Sequence, residues 1–156
     1  MAWPLSFIFA GTEPTMQMAY TLGRILLPLV FIVEGVRKLM NVDEIAKMLA
    51  GNNVPIPDEI VPYLGGMPKF QAAGYAVAAV EVICGLMIMV GLKARWAAMV
   101  LILFTAGTIY FVHHFWDMDA ALLAAQRLEA LKNLSIMGGL LLVVSVGAGP
   151  GAMDRS

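Results

Sequence analysis

Between Phe70 and Leu92 the chain reads FQAAGYAVAAVEVICGLMIMVGL, an apolar run whose one ionisable carboxylate, Glu81, stands almost at its midpoint. At about 1.5 Å rise per residue, roughly twenty residues cross the hydrocarbon core of a bilayer. Backbone polar groups in hydrocarbon must pair within the segment, so a run of this length is a helix rather than a barrel strand. Three further runs have the same character: about Ala19 to Met40, Ala94 to Phe115 and Leu131 to Gly147. With 60% hydrophobic and only 13% charged residues in 156, and a mean hydropathy of +0.81, the chain falls outside the soluble range, where charged residues make up about a quarter. The expected fold is all-α: an integral membrane, antiparallel four-helix bundle forming a single domain over residues 1–156.

The connections fix the topology. Spans two and three are joined only by GLKAR at Gly91 to Arg95, which forces a helical hairpin. The first loop is longer. It opens on Asn41-Val-Asp-Glu44, the pattern of a capping box, which predicts a short interfacial helix to about Ala50. Gly51 and Asn52 then stop it, and Pro55, Pro57 and Pro62 keep the remainder irregular. Between spans three and four, Trp116 to Ala130 can form an amphipathic helix. The N-terminal MAWPLSFIFAG lacks a basic region and is too short to span, so Trp3 and Phe7 are expected at the membrane interface. Basic residues near the span ends would, by a raw count, place the long loops inside. Several of them sit among acids and polar-site candidates, so the termini are assigned to the cytoplasm.

Composition also excludes functions. A net charge of −1 argues against nucleic acid as a partner and against a polybasic membrane-surface role; the apolar spans make membrane lipid the expected partner. A lone cysteine, Cys84, rules out an internal disulfide or a CxxC pair and is read as a packing residue. His113 and His114 are adjacent, about 100° apart on a helix, and no other histidine exists to face them. A haem bridged between helices therefore has no ligand pair here, no metal site is assigned, and no cofactor is expected to be held by this chain alone.

The polar residues gather at one end. A central carboxylate costs about 2.5 to 3.5 kcal/mol to insert, so Glu81 marks a functional site by default. Gly74, Ala78, Glu81 and Gly85 share a face of small residues that should turn Glu81 inward. Span one ends in Glu34-Gly-Val-Arg37-Lys38, span three in His114-Phe-Trp116, and span four begins with Lys132-Asn133. Antiparallel packing brings these ends together above Glu81, with Lys38, Arg37 or Lys132 as its candidate partner, while Arg24 falls at the opposite surface. Two readings stay open: an ion-pair cluster that fastens the helices, or an aromatic-walled polar pocket of the kind a quinone ring could enter. The pocket's candidates are Glu34, Lys38, Glu81, His114, Trp116, Lys132 and Asn133, with no catalytic residue identified.

Gly23-Arg24, Glu34-Gly35, Lys38, GNNVPIP at Gly51 to Pro57, Glu81 with Gly85, Gly91-Leu92 to Arg95, His114-Phe-Trp116, Lys132-Asn133 and Gly149-Pro-Gly151 together resemble the DoxX family over about residues 20 to 152. The resemblance implies a four-helix, multi-pass protein of bacterial or archaeal inner membranes. Its relatives include a subunit of thiosulfate:quinone oxidoreductase. On that basis the expected function is a membrane subunit of a quinone-linked oxidoreductase complex, anchoring other protein subunits and bordering a quinol site. The alternatives are a non-catalytic scaffold subunit and a small proton- or solute-handling protein. The last is disfavoured because no inverted repeat or broken helix is evident.

Overall fold

A computed structural model describes residues 14–154; the expectations for Trp3 and Phe7 lie outside them. The described residues are helical and contain no strand. Six α-helices follow in order: α1 (Pro14–Leu26), α2 (Leu29–Met40), α3 (Val42–Gly51), α4 (Lys69–Val90), α5 (Ala94–Phe111) and α6 (Ala120–Val146), with short 3₁₀ turns at Asp58–Tyr63 and Phe115–Asp117. Together α1 and α2 make one apolar span, Pro14–Met40, so that four segments are long and apolar enough to cross a membrane. The break between α1 and α2 falls at Pro28. Proline has no N–H to give the carbonyl four residues back, yet Ile32 N still bonds Pro28 O at 3.1 Å and the span continues.

Small residues determine how closely the helices approach. On α4 the buried positions are Gly74, Ala78, Glu81, Cys84, Gly85 and Ile88, the inward face anticipated from their spacing. On α5 they are Ala94, Ala97, Ala98, Leu101 and Thr105, again a single stripe at helical spacing. Cys84 belongs to the core formed with Phe31, Ile88, Leu101, Leu140 and Val143. The outward residues are large and apolar, among them Ile83, Leu134 and Leu142, as a lipid-facing surface requires.

Two expectations for the connections are corrected. The capping box at Asn41 does not form, because one residue separates α2 from α3. The Asn41 side chain donates backwards to Arg37 O at 2.9 Å, closing the end of α2, and makes no cap bond to α3. The short helix itself is present, with Val42, Ile45 and Leu49 buried and its flank against Gly74 of α4. Nor does the helix before span four begin at Trp116: a 3₁₀ turn occupies Phe115–Asp117, and the helix starts at Ala120. From Ala120 onward no proline interrupts a sequence rich in Ala and Leu, so α6 runs unbroken to Val146.

At the end holding the termini, arginines close helix ends. Gly91 takes a left-handed φ of 73°, and Leu92 N bonds Met87 O at 2.8 Å in a Schellman turn. Buried Arg24 donates to Met89 O at 2.9 Å and to Pro150 O at 3.3 Å, fastening the last turn of α4 to the C-terminal segment. Arg95 likewise donates to Val144 O at 3.0 Å at the end of α6. Tyr20 donates its hydroxyl to Gly147 O. Cations on the carbonyl ends of helices are favoured by the helix dipole, and this end is thereby closed by structural contacts.

Candidate functional site

The opposite half of the bundle encloses a cavity of about 620 Å³, bounded by α2, α3, α5 and the first half of α6, with Val77 and Glu81 of α4 beside them. Phe31, Phe104 and Phe111 supply aromatic wall, and Ile45, Leu49, Leu103 and Ile136 supply aliphatic wall. Its volume falls within the range of small-molecule sites, roughly 300 to 1,000 Å³.

Glu81 is held by Lys38. The ammonium lies 2.5 Å from Oε1 and 2.6 Å from Oε2, and the two side chains are 14% and 5% exposed. Helix α2 comes close enough for this because Gly35, one turn before Lys38, faces Ala78, Glu81 and Val82 of α4 with no side chain between. Lys38 Nζ also stands 5.6 Å from the centroid of Phe104 on α5, in cation–π range. The one buried carboxylate among the described residues thus has a counter-ion on a neighbouring helix and an aromatic face beside that ion. Of the three candidate partners, Lys38 takes Glu81. Arg37 is bound to Glu34 at 2.7 Å and Lys132 to Glu129 at 2.8 Å. All six of these charged residues line the cavity. Its wall therefore carries three cations and three anions, each matched.

Asn133 also lines this cavity, but His114 and Trp116 do not. Their placement corrects the sequence expectation. Helix α5 ends at Phe111, and both Val112 N and His113 N converge on Thr108 O, at 2.9 and 3.1 Å. The helical register is lost at this wide last turn, so His113 and His114 do not continue the faces of α5. His113 is the histidine on the cavity wall, with Nδ1 2.7 Å from Gln126 Oε1 of α6. His114 instead donates to Phe111 O at 3.1 Å. With Trp116, Tyr110, Asn52 and Asp117 it lines a smaller separate cleft of about 190 Å³.

His113 and Thr105 are polar cavity residues absent from the sequence candidates. Only the end of α5, which no proline or glycine marks, could have pointed to His113. Thr105 lines the cavity and is 2% exposed, and its hydroxyl has no partner among the described residues. Neighbouring Thr108 spends its hydroxyl on Phe104 O at 3.0 Å, the usual habit of a helical threonine. Among the described residues no group of three or more His, Cys, Asp or Glu side chains is placed so that it could hold a metal ion.

A family profile described as DoxX matches residues 19–114, which include every residue of α2 to α5 and both members of the buried ion pair. An inner membrane protein of Escherichia coli K12, YphA, is 28% identical over 149 residues, covering 96% of this chain and 95% of that protein. No solved structure matches.

Proposed function

This chain belongs to the DoxX family, and we propose that it is a multi-pass protein of a bacterial inner membrane that receives the head group of a lipid-soluble quinone in its central cavity. In this reading it serves as the membrane subunit of a quinone-linked oxidoreductase complex. The observation that carries the proposal is the pairing of a buried, fully matched Lys38–Glu81 ion pair with aromatic walls in one cavity. An ionic head group entering a wall of matched charges would bring an uncompensated charge into low dielectric. A neutral ring with polar oxygens does not, and its apolar tail suits the aliphatic wall. Phe31, Phe104 and Phe111 would sandwich the ring, while Lys38 and Asn133 can donate to its oxygens. The quinone, when bound, supplies the redox chemistry; this chain supplies binding and orientation.

The test is binding of a short-tailed benzoquinone to the purified chain in lipid nanodiscs, beside a gentle purification in which co-purifying chains and extractable quinones are identified. Wild type should bind. A Lys38→Met/Glu81→Met double variant, which strands no charge, should bind at least about tenfold more weakly, a difference near 1.4 kcal/mol. Equal binding by the two proteins, or a chain recovered alone without quinone or partner, would overturn the reading. The runner-up is a scaffold in which the same pair only joins α2 to α4, favoured by the close contact at Gly35. It predicts an assembled complex whose activity is indifferent to the double variant.

We further assign the termini to the cytoplasm. The raw excess of basic residues on the loop side is offset there, since Arg37, Lys38, Lys69 and Lys132 each hold a carboxylate. A C-terminal alkaline phosphatase fusion should be inactive and a fusion after Asn53 active. The reverse pattern would invert the topology.

A further inference from the structure

We infer that His113 is the acceptor through which the cavity selects a hydroxyl-bearing ring, and that Gln126 is the positioning residue that keeps it one; this rests on the quinone reading above. The argument begins with the 2.7 Å contact between His113 Nδ1 and Gln126 Oε1. A carboxamide oxygen can only accept, so Nδ1 carries the proton. In a neutral imidazole the other nitrogen, Nε2, then has a lone pair and no hydrogen. No described residue is bonded to that nitrogen, and the ring lines the cavity. His114 also donates from Nδ1, to Phe111 O, but it lines the separate smaller cleft and not this cavity.

The charged groups of the cavity are already engaged with one another: Lys38, Arg37 and Lys132 are donors, and Glu34, Glu81 and Glu129 each accept from one of them. Thr105 and Asn133 carry a hydroxyl and a carboxamide that can each both donate and accept. His113 Nε2 differs from these in that it can only accept, on a wall otherwise rich in N–H groups. A quinone carbonyl would bring a second acceptor to it and leave both unsatisfied. The hydroxyl of a quinol donates to it, while oxygens elsewhere on the ring accept from Lys38 or Asn133. The geometry therefore favours the reduced, dihydroxy form of the ring over the oxidised one.

The test uses the full chain in nanodiscs under anaerobic conditions and three probes sharing one decyl tail: a benzoquinol, its bis-O-methyl ether and the corresponding quinone. Wild type should bind the quinol about tenfold more tightly than the ether, the ratio expected of one buried hydrogen bond. Gln126→Leu should bring the ratio to within about twofold, since the ring is then free to present either nitrogen. Gln126→Glu, which keeps an acceptor for Nδ1, should restore the preference, a recovery that a packing role for Gln126 would not give. A wild type that binds all three probes equally overturns this inference and leaves the quinone reading standing, as does a Gln126→Leu variant that keeps the preference. A wild type that binds none of them overturns both.

Discussion

Replacing Lys38 with alanine is expected to destabilise the detergent-solubilised protein by about 3 to 5 kcal/mol, the cost of leaving one member of a buried ion pair without the other. Among the described residues Glu81 has no second free cation to turn to. Its carboxylate is 5% exposed and accepts both of its hydrogen bonds from Lys38, while Arg37 and Lys132 are spent on Glu34 and Glu129. Glu81→Ala should cost less, because Lys38 is more exposed, at 14%, and retains the face of Phe104. The double variant Lys38→Met/Glu81→Met should recover most of the loss, since apolar side chains of similar length replace a buried pair at little net cost. Thermal unfolding of the wild type, both singles and a Lys38→Ala/Glu81→Ala double closes a mutant cycle. A coupling below about 0.5 kcal/mol would show that the pair is only incidental to the fold. If the double variants are stable and still bind quinone as wild type does, stability and site come apart, and the cavity's polar floor has no part in recognition.

How far this arrangement could be read in the sequence depends on what kind of constraint each feature obeys. The four spans were legible because hydrocarbon allows no other treatment of a long apolar backbone. The inward turn of Glu81 was legible because Gly74, Ala78 and Gly85 mark the one strip of α4 where a neighbour can approach. That Lys38 rather than Arg37 or Lys132 would take Glu81 was not. All three are within reach by topology, and the choice turns on Gly35, whose missing side chain brings α2 onto α4 at that level. His114 and Trp116 were misplaced for a different reason: helical phase is valid only while the helix lasts, and α5 ends three residues before His114 at a wide turn that carries no breaker residue. Asn41 failed as a cap because its side chain had a nearer carbonyl, that of Arg37, to satisfy. The legible features followed from solvent and period; the illegible ones followed from local competition for hydrogen bonds, which spacing does not rank.

Gly35 carries the second large expectation. A Cβ at this position would stand 2.7 Å from Val82 Cγ2, 3.0 Å from Ala78 O and 3.1 Å from Glu81 Cβ. The valine methyl can rotate away, but Ala78 O belongs to the backbone of α4 and yields only if the whole helix does. Gly35→Ala should therefore lower stability by about 1 to 3 kcal/mol, as overpacking does, even though alanine is the better helix former by nearly 1 kcal/mol. Gly35→Leu should prevent a stable bundle. Gly138→Ala is the matched control: it is a helical glycine with nothing within 4 Å of the added carbon, so the same change should be neutral or slightly stabilising. The two glycines separate propensity from packing, because alanine alters the former equally at both. The spacing at Gly35 also sets how far Lys38 must reach, so Gly35→Ala should weaken quinone binding along with stability. If Gly35→Ala instead matches Gly138→Ala in thermal unfolding, the α2–α4 contact has room to spare, and the close approach that pairs Lys38 with Glu81 is not what fixes the cavity floor.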